Sequence, residues 1–160
     1  MEQKRVSAAL MAAGALAAAG GAFVFFVYAP VLAGECRSAY PELSPLYWPG
    51  LAGVWLIGAV YLAAMAFYFR IVARIGRDRS FCRANARELG WIARCMAAAG
   101  ALWLAAAFLP GAIWHVPIGP VWIVFLLAAM ASFAMGTLAW GLSRLLERAV
   151  ALKEENDMTI

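Results

Sequence analysis

The chain has 160 residues, 66% of them hydrophobic and only 14% charged, with a formal net charge of +4. A soluble domain carries about 25% charge and could not hide so much apolar surface, so the composition excludes a soluble globular protein and names lipid as the solvent. The basic excess is no nucleic-acid footprint, because it is concentrated in one short segment between two membrane-length apolar runs.

In chain order, residues 6–33 form a first uncharged run, residues 46–69 a second and residues 96–116 a third. Residues 119–143 hold the fourth. Each exceeds or meets the roughly 20 residues that a spanning helix needs. These runs predict an all-α integral membrane four-helix bundle forming a single domain. The first run also has a secretory-signal look, with MEQKR before it and VLAGEC at its end. Its length is about twice the 7 to 15 residues of a signal core, so an uncleaved span is expected.

Between the second and third runs, residues 70–94 hold Arg70, Arg74, Arg77, Arg79, Arg83, Arg87 and Arg94 against Asp78 and Glu88. Short loops rich in arginine stay in the cytoplasm. The loop at 34–45 has Glu35 and Glu42 against Arg37, and the turn near His115 has no formal charge with the histidine neutral. This predicts an inner-membrane protein with the arginine loop and both termini cytoplasmic. The seven prolines, at 30, 41, 45, 49, 110, 117 and 120, fall at the outer ends or loops of this arrangement. Tyr28, Tyr40, Tyr47, Trp48, Trp114 and Trp122 would form an outer aromatic belt, with Tyr68, Trp91 and Trp140 inside.

Within the arginine loop, Arg70, Arg74 and Arg77 share one helical stripe that continues the second span. The RDRS stretch breaks it, with Ser80 as an N-cap candidate. From Phe81 a short amphipathic cytoplasmic helix is expected, with Phe81, Leu89, Ile92 and Met96 on one side and Arg83, Arg87 and Arg94 on another. It would rest in the headgroup layer and turn into the third span. The tail at 144–160 continues the last span and then turns acidic at Glu154, Glu155, Asn156 and Asp157, and it could pair with the arginine loop or present a recognition peptide.

Small residues at four-residue intervals suggest packing seams: Ala9, Ala13, Ala17 and Gly21 in the first span, Ala97, Ala101 and Ala105 in the third, and Ala128, Ser132 and Gly136 in the fourth. No lysine, arginine, aspartate or glutamate interrupts a span, which disfavours an ion or proton pathway. Three cysteines and one histidine form no metal or disulfide pattern, so no cofactor is expected. There is no nucleophile–base pair, no paired carboxylates and no phosphate loop, which argues against an enzyme.

The stretch RSFCRANARELGWIARC resembles the loop-to-third-span signature of the DUF2975 family of small bacterial membrane proteins, with Phe81 and Asn85 at its marked positions. The ending LKEENDMTI is similar to that family's acidic close, with Met158, Thr159 and Ile160 at the end. Cys82 and Ala84 stand where the family pattern has small polar or acidic residues. The resemblance implies a membrane protein without established activity, often found beside a small helix-turn-helix regulator of the Cro/CI type. It therefore implies a membrane partner or antagonist of such a regulator, with any DNA contact indirect. The alternative is a small permease or lipophilic-ligand-binding protein with Tyr61, Ser132 or Thr137 lining a path between the spans.

Overall fold

A computed structural model describes residues 2–77, 82–114 and 121–157. Helix α1 covers Glu2–Phe23, a π-helical turn follows at Val24–Tyr28, and α2 covers Ala29–Ala39. After a 3-10 turn at Pro41–Leu46 come α3 (Tyr47–Ile75), α4 (Arg83–Trp114) and α5 (Val121–Asp157). Four helical stretches are long and apolar enough to cross a membrane, and no strand occurs among the described residues. The all-α membrane bundle expected from the sequence is the observed architecture.

The first rod is α1, the π turn and α2 run together. Its wide turn has a local cause. Pro30 cannot donate a backbone hydrogen bond, and the ladder widens just before it, the Ala29 N–H reaching back five residues to the Val24 carbonyl. Pro30 thus lies inside a continuous helix rather than at an end, and helix occupies much of the expected outer loop at 34–45. Pro110 likewise sits inside α4, which continues to Trp114. His115, Pro117 and Pro120 lie outside the described residues.

The amphipathic helix between the second and third spans is not a separate in-plane element. It is the first three turns of α4, which run without a break into the span. Burial explains the continuity. Ala86, Ala93, Gly100 and Ala107 are buried at seven-residue intervals, so one face packs from the loop end deep into the bundle. On α5 the buried set is Ala129, Ser132, Gly136, Ala139 and Ser143, alternating three- and four-residue steps, and then Val150 seven residues on. This is the heptad geometry of a left-handed coiled coil with small residues in its seam.

Two glycines lie in that seam. A Cβ on Gly136 would meet the Ala93 carbonyl oxygen at 3.3 Å, and one on Gly100 would meet the Phe133 ring at 2.9 Å. The expected seams are therefore partly shifted. Ser132 and Gly136 are buried as expected, whereas Ala97 and Ala101 face outward and Ala93, Ala99 and Gly100 take their place. On α1, Ala9 and Ala13 are exposed, and the close approach to α3 falls at Gly14, where a Cβ would lie 2.5 Å from the Tyr68 ring. A four-residue row drifts around a packed helix, whereas a seven-residue row stays on one side.

Candidate functional site

Three helix ends and the start of α1 converge at the arginine-rich end of the bundle. The Ser7 hydroxyl donates to the Val72 carbonyl at 3.1 Å, fixing α1 on α3. The Ser143 hydroxyl donates to the Ala86 carbonyl at 2.7 Å, fixing α5 on α4. Between them, Arg70 and Arg74, one turn apart on α3, face Asn85 and Glu88, three residues apart on α4. Arg74 donates from Nη1 to Asn85 Oδ1 at 3.3 Å and from Nη2 to Glu88 Oε1 at 3.1 Å. Arg70 Nη1 lies 3.9 Å from Glu88 Oε2.

Glu88 is the key to this arrangement. Its side chain is only 6% exposed, Arg74 is 29% exposed and Arg70 is 60% exposed. A buried carboxylate persists only when paired and hydrogen-bonded, and Arg74 supplies both. The clamp joins α3 to α4 across the interhelical loop. Two arginines of the loop are thus turned onto an acid of the same loop.

The remaining sequence-selected residues fall into three groups. Arg83 and Glu154 form an exposed two-pronged ion pair, with Nε on Oε1 at 3.1 Å and Nη2 on Oε2, so the acidic tail does meet the arginine loop. Arg77 ends α3 in a turn and is exposed, as are Arg87, Glu155 and Asn156; Asp157 is the last residue of α5. Asn85, in contrast, is 1% exposed and belongs to the clamp, so it is closed to a partner. Arg79, Phe81, Thr159 and Ile160, and the N-cap candidate Ser80, lie outside the described residues.

Sequence reasoning missed Glu88. The available signal was the three-residue spacing of Asn85 and Glu88 facing the four-residue spacing of Arg70 and Arg74. Net charge hides it, because the acid enters that sum only as charge balance.

A second polar chain lies within the spans. The Trp103 indole donates to the Tyr61 oxygen at 3.2 Å, Tyr61 and Ser132 are 2.7 Å apart, and the Ser132 hydroxyl donates to the Ala128 carbonyl at 2.7 Å. Each hydroxyl has one proton, so Tyr61 must donate to Ser132. Phe25, carried on the π turn, stacks on Tyr61 at 5.6 Å between centroids, over Gly58. Beside this chain is an apolar cavity of about 420 Å³ bordered by all four rods, with Tyr61 and Trp103 in its wall and Thr137 outside it, exposed. No buried side-chain nitrogen or oxygen lacks a partner among the described residues, and no metal-binding cluster occurs among them.

Comparison with family models decides the relationship, since the model of a protein family of unknown function, DUF2975, matches residues 31–160. The chain belongs to the DUF2975 family. The match begins two residues into α2 and covers the rest of α2, all of α3 to α5 and both polar clusters apart from Ser7 and Phe25. Comparison with curated proteins and with solved structures gave no match.

Proposed function

We propose that this DUF2975 member is a non-enzymatic inner-membrane protein whose arginine-rich end, lying in the cytoplasm with both termini, is a docking platform for a small helix-turn-helix regulator. The observation that carries the reading is the close packing of that end. Helix α5 has 37 residues and so is roughly 55 Å long against a hydrocarbon core of about 30 Å, which leaves several turns beyond the bilayer. Those turns are packed rather than frayed, with Val150 buried, Ser143 bonded to α4 and Glu154 paired to Arg83. The clamp of Arg74, Asn85 and Glu88 stiffens the same end from within. Arg77, Arg83, Arg87, Arg148, Lys153, Glu154 and Glu155 of the same end are exposed. A surface of fixed, mixed charge suits selective recognition of a soluble partner. DNA contact runs through the partner.

The test is a mild-detergent pull-down of the tagged full chain, with and without residues 154–160. A small DNA-binding protein that copurifies with the full chain and is lost with the tail, while membrane insertion survives, supports the reading. Equal recovery after tail removal and after charge reversal of the exposed arginines overturns it.

A second reading rests on the 420 Å³ cavity, whose apolar wall would accept a lipophilic ligand with Tyr61 and Trp103 at one side. Replacing Met65 or Ala64, both on the cavity wall, by larger residues should abolish uptake of an apolar probe. Unchanged uptake removes that reading.

A further inference from the structure

On the exposed side of the seam between α4 and α5 runs a groove of about 680 Å³, separate from the clamp and from the inner cavity. Small residues, Gly90, Ala93 and Gly136, form its floor, and Trp91 and Trp140 stand on its two walls. Chemistry changes along its length. Arg87 and Arg144 line one end, Ala97 and Phe133 line the other, and Arg94 lies between them. Gly136 packs against Ala93 and Ala97 whereas Ser143 packs against Ala86 and Gly90, so the Arg94 backbone lies about seven residues, roughly 10 Å, deeper than that of Arg144. Phe133 lies eleven residues inside Arg144, about 16 Å deeper.

The charged end is prepared for an anion. Arg94 lies over the Trp91 ring with its Cζ 4.6 Å from the centroid, and Arg144 lies over Trp140 at 5.9 Å. Stacking holds a planar guanidinium in place and leaves its N–H edges to bond. Arg144 is already engaged by Glu147 at 3.0 Å, whereas Arg87 and Arg94 have no acidic partner among the described residues. The groove therefore presents Arg87 at its outer end and Arg94 part-way in, its guanidinium drawn outward over Trp91, with no charged side chain at its inner end.

We infer that this groove binds an anionic phospholipid of the surrounding leaflet. The phosphate would rest between Arg87 and Arg94 at the level of the tryptophans, and one acyl chain would run along the small-residue floor past Ala97 toward Phe133. A soluble anion would leave the apolar half empty. An acidic peptide would have to carry backbone polar groups into hydrocarbon without partners. A zwitterionic lipid would bring its cationic group against the arginines, which sets the preference for net negative charge.

The experiment is native mass spectrometry of the delipidated full chain in detergent, incubated with phosphatidylglycerol and phosphatidylcholine of matched acyl chains. The full chain should retain phosphatidylglycerol preferentially. Losing a basic residue near a membrane surface weakens anionic-lipid attraction by roughly fivefold, so Arg87→Gln with Arg94→Gln should lower phosphatidylglycerol affinity by about 25-fold. Glu147→Gln frees Arg144 and should raise it, a change that a merely structural ion pair would not produce. Thr137→Trp, which fills the inner half from an exposed position, should lower binding of both lipids without touching a charge. Arg77→Gln, remote from the groove, should change nothing. Equal retention of the two lipids, an equal loss in Arg77→Gln, or a lipid-free dimer that the double variant dissociates would overturn the inference.

Discussion

Replacing Arg74 by alanine should destabilise the bundle more than any other single change among the loop arginines. The substitution removes two hydrogen bonds, at 3.1 Å to Glu88 and 3.3 Å to Asn85. Hydrogen bonds to charged groups are worth about 1.5–3 kcal/mol each. What remains beside the Glu88 carboxylate, itself 6% exposed, is Arg70 at 3.9 Å and 60% exposed, too solvated to compensate a buried charge. Leaving one partner of a buried pair alone costs about 3–5 kcal/mol, and the two routes to the figure agree. Arg70→Ala, by the same reasoning, should cost less than about 1 kcal/mol. Arg74→Met combined with Glu88→Met leaves no charge buried and should recover most of the loss. The assay is reversible unfolding of the detergent-solubilised chain by SDS titration, read by circular dichroism. An Arg74→Ala variant within about 1 kcal/mol of the parent, or a double variant whose cost equals the sum of the two singles, would refute the clamp.

The glycines of the α4–α5 seam should differ. Gly136→Ala presses a methyl against the Ala93 carbonyl oxygen and the Met96 Cβ, both at 3.3 Å, and should lower the unfolding midpoint. Gly100→Ala meets only the Phe133 ring, which is 37% exposed and can swing outward, and should be nearly neutral in the same titration. Tyr61→Phe removes two interhelical hydrogen bonds, to Trp103 and to Ser132, and at about 0.6 kcal/mol each should cost about 1.2 kcal/mol by the same titration. Cys36 is exposed at the end opposite the arginines, so a membrane-impermeant maleimide should label it in intact cells and reach Cys82 only after permeabilisation. The reverse pattern would invert the proposed orientation.

The spans were legible in the sequence because their signal is long and collective: some twenty consecutive uncharged residues leave one solution for the backbone. Which face of each rod packs was much less legible. In a chain where alanine is everywhere, the rows at Ala9, Ala13 and Ala17 and at Ala97 and Ala101 look as good as the true seven-residue row of Ala86, Ala93, Gly100 and Ala107. Only the partner helix tells them apart. The extent of helix was underestimated beyond Pro30, where much of the expected loop at 34–45 is helical, because a helix can absorb a proline by widening one turn rather than ending. The Arg83–Glu154 pair was legible as charge complementarity between loop and tail. The Arg74–Asn85–Glu88 clamp was not, since net charge sums a buried acid and a solvated one alike.

The central claim is that the arginine-rich end is a platform for a soluble regulator, and site-specific photo-crosslinking in native cells tests it most directly. A photoreactive residue at position 77 or 148, both exposed at that end, should give an adduct with one small DNA-binding protein. The same residue at position 40, at the opposite end, should give none. Absence of any such adduct from positions 77 and 148, or its appearance from position 40, would contradict the account.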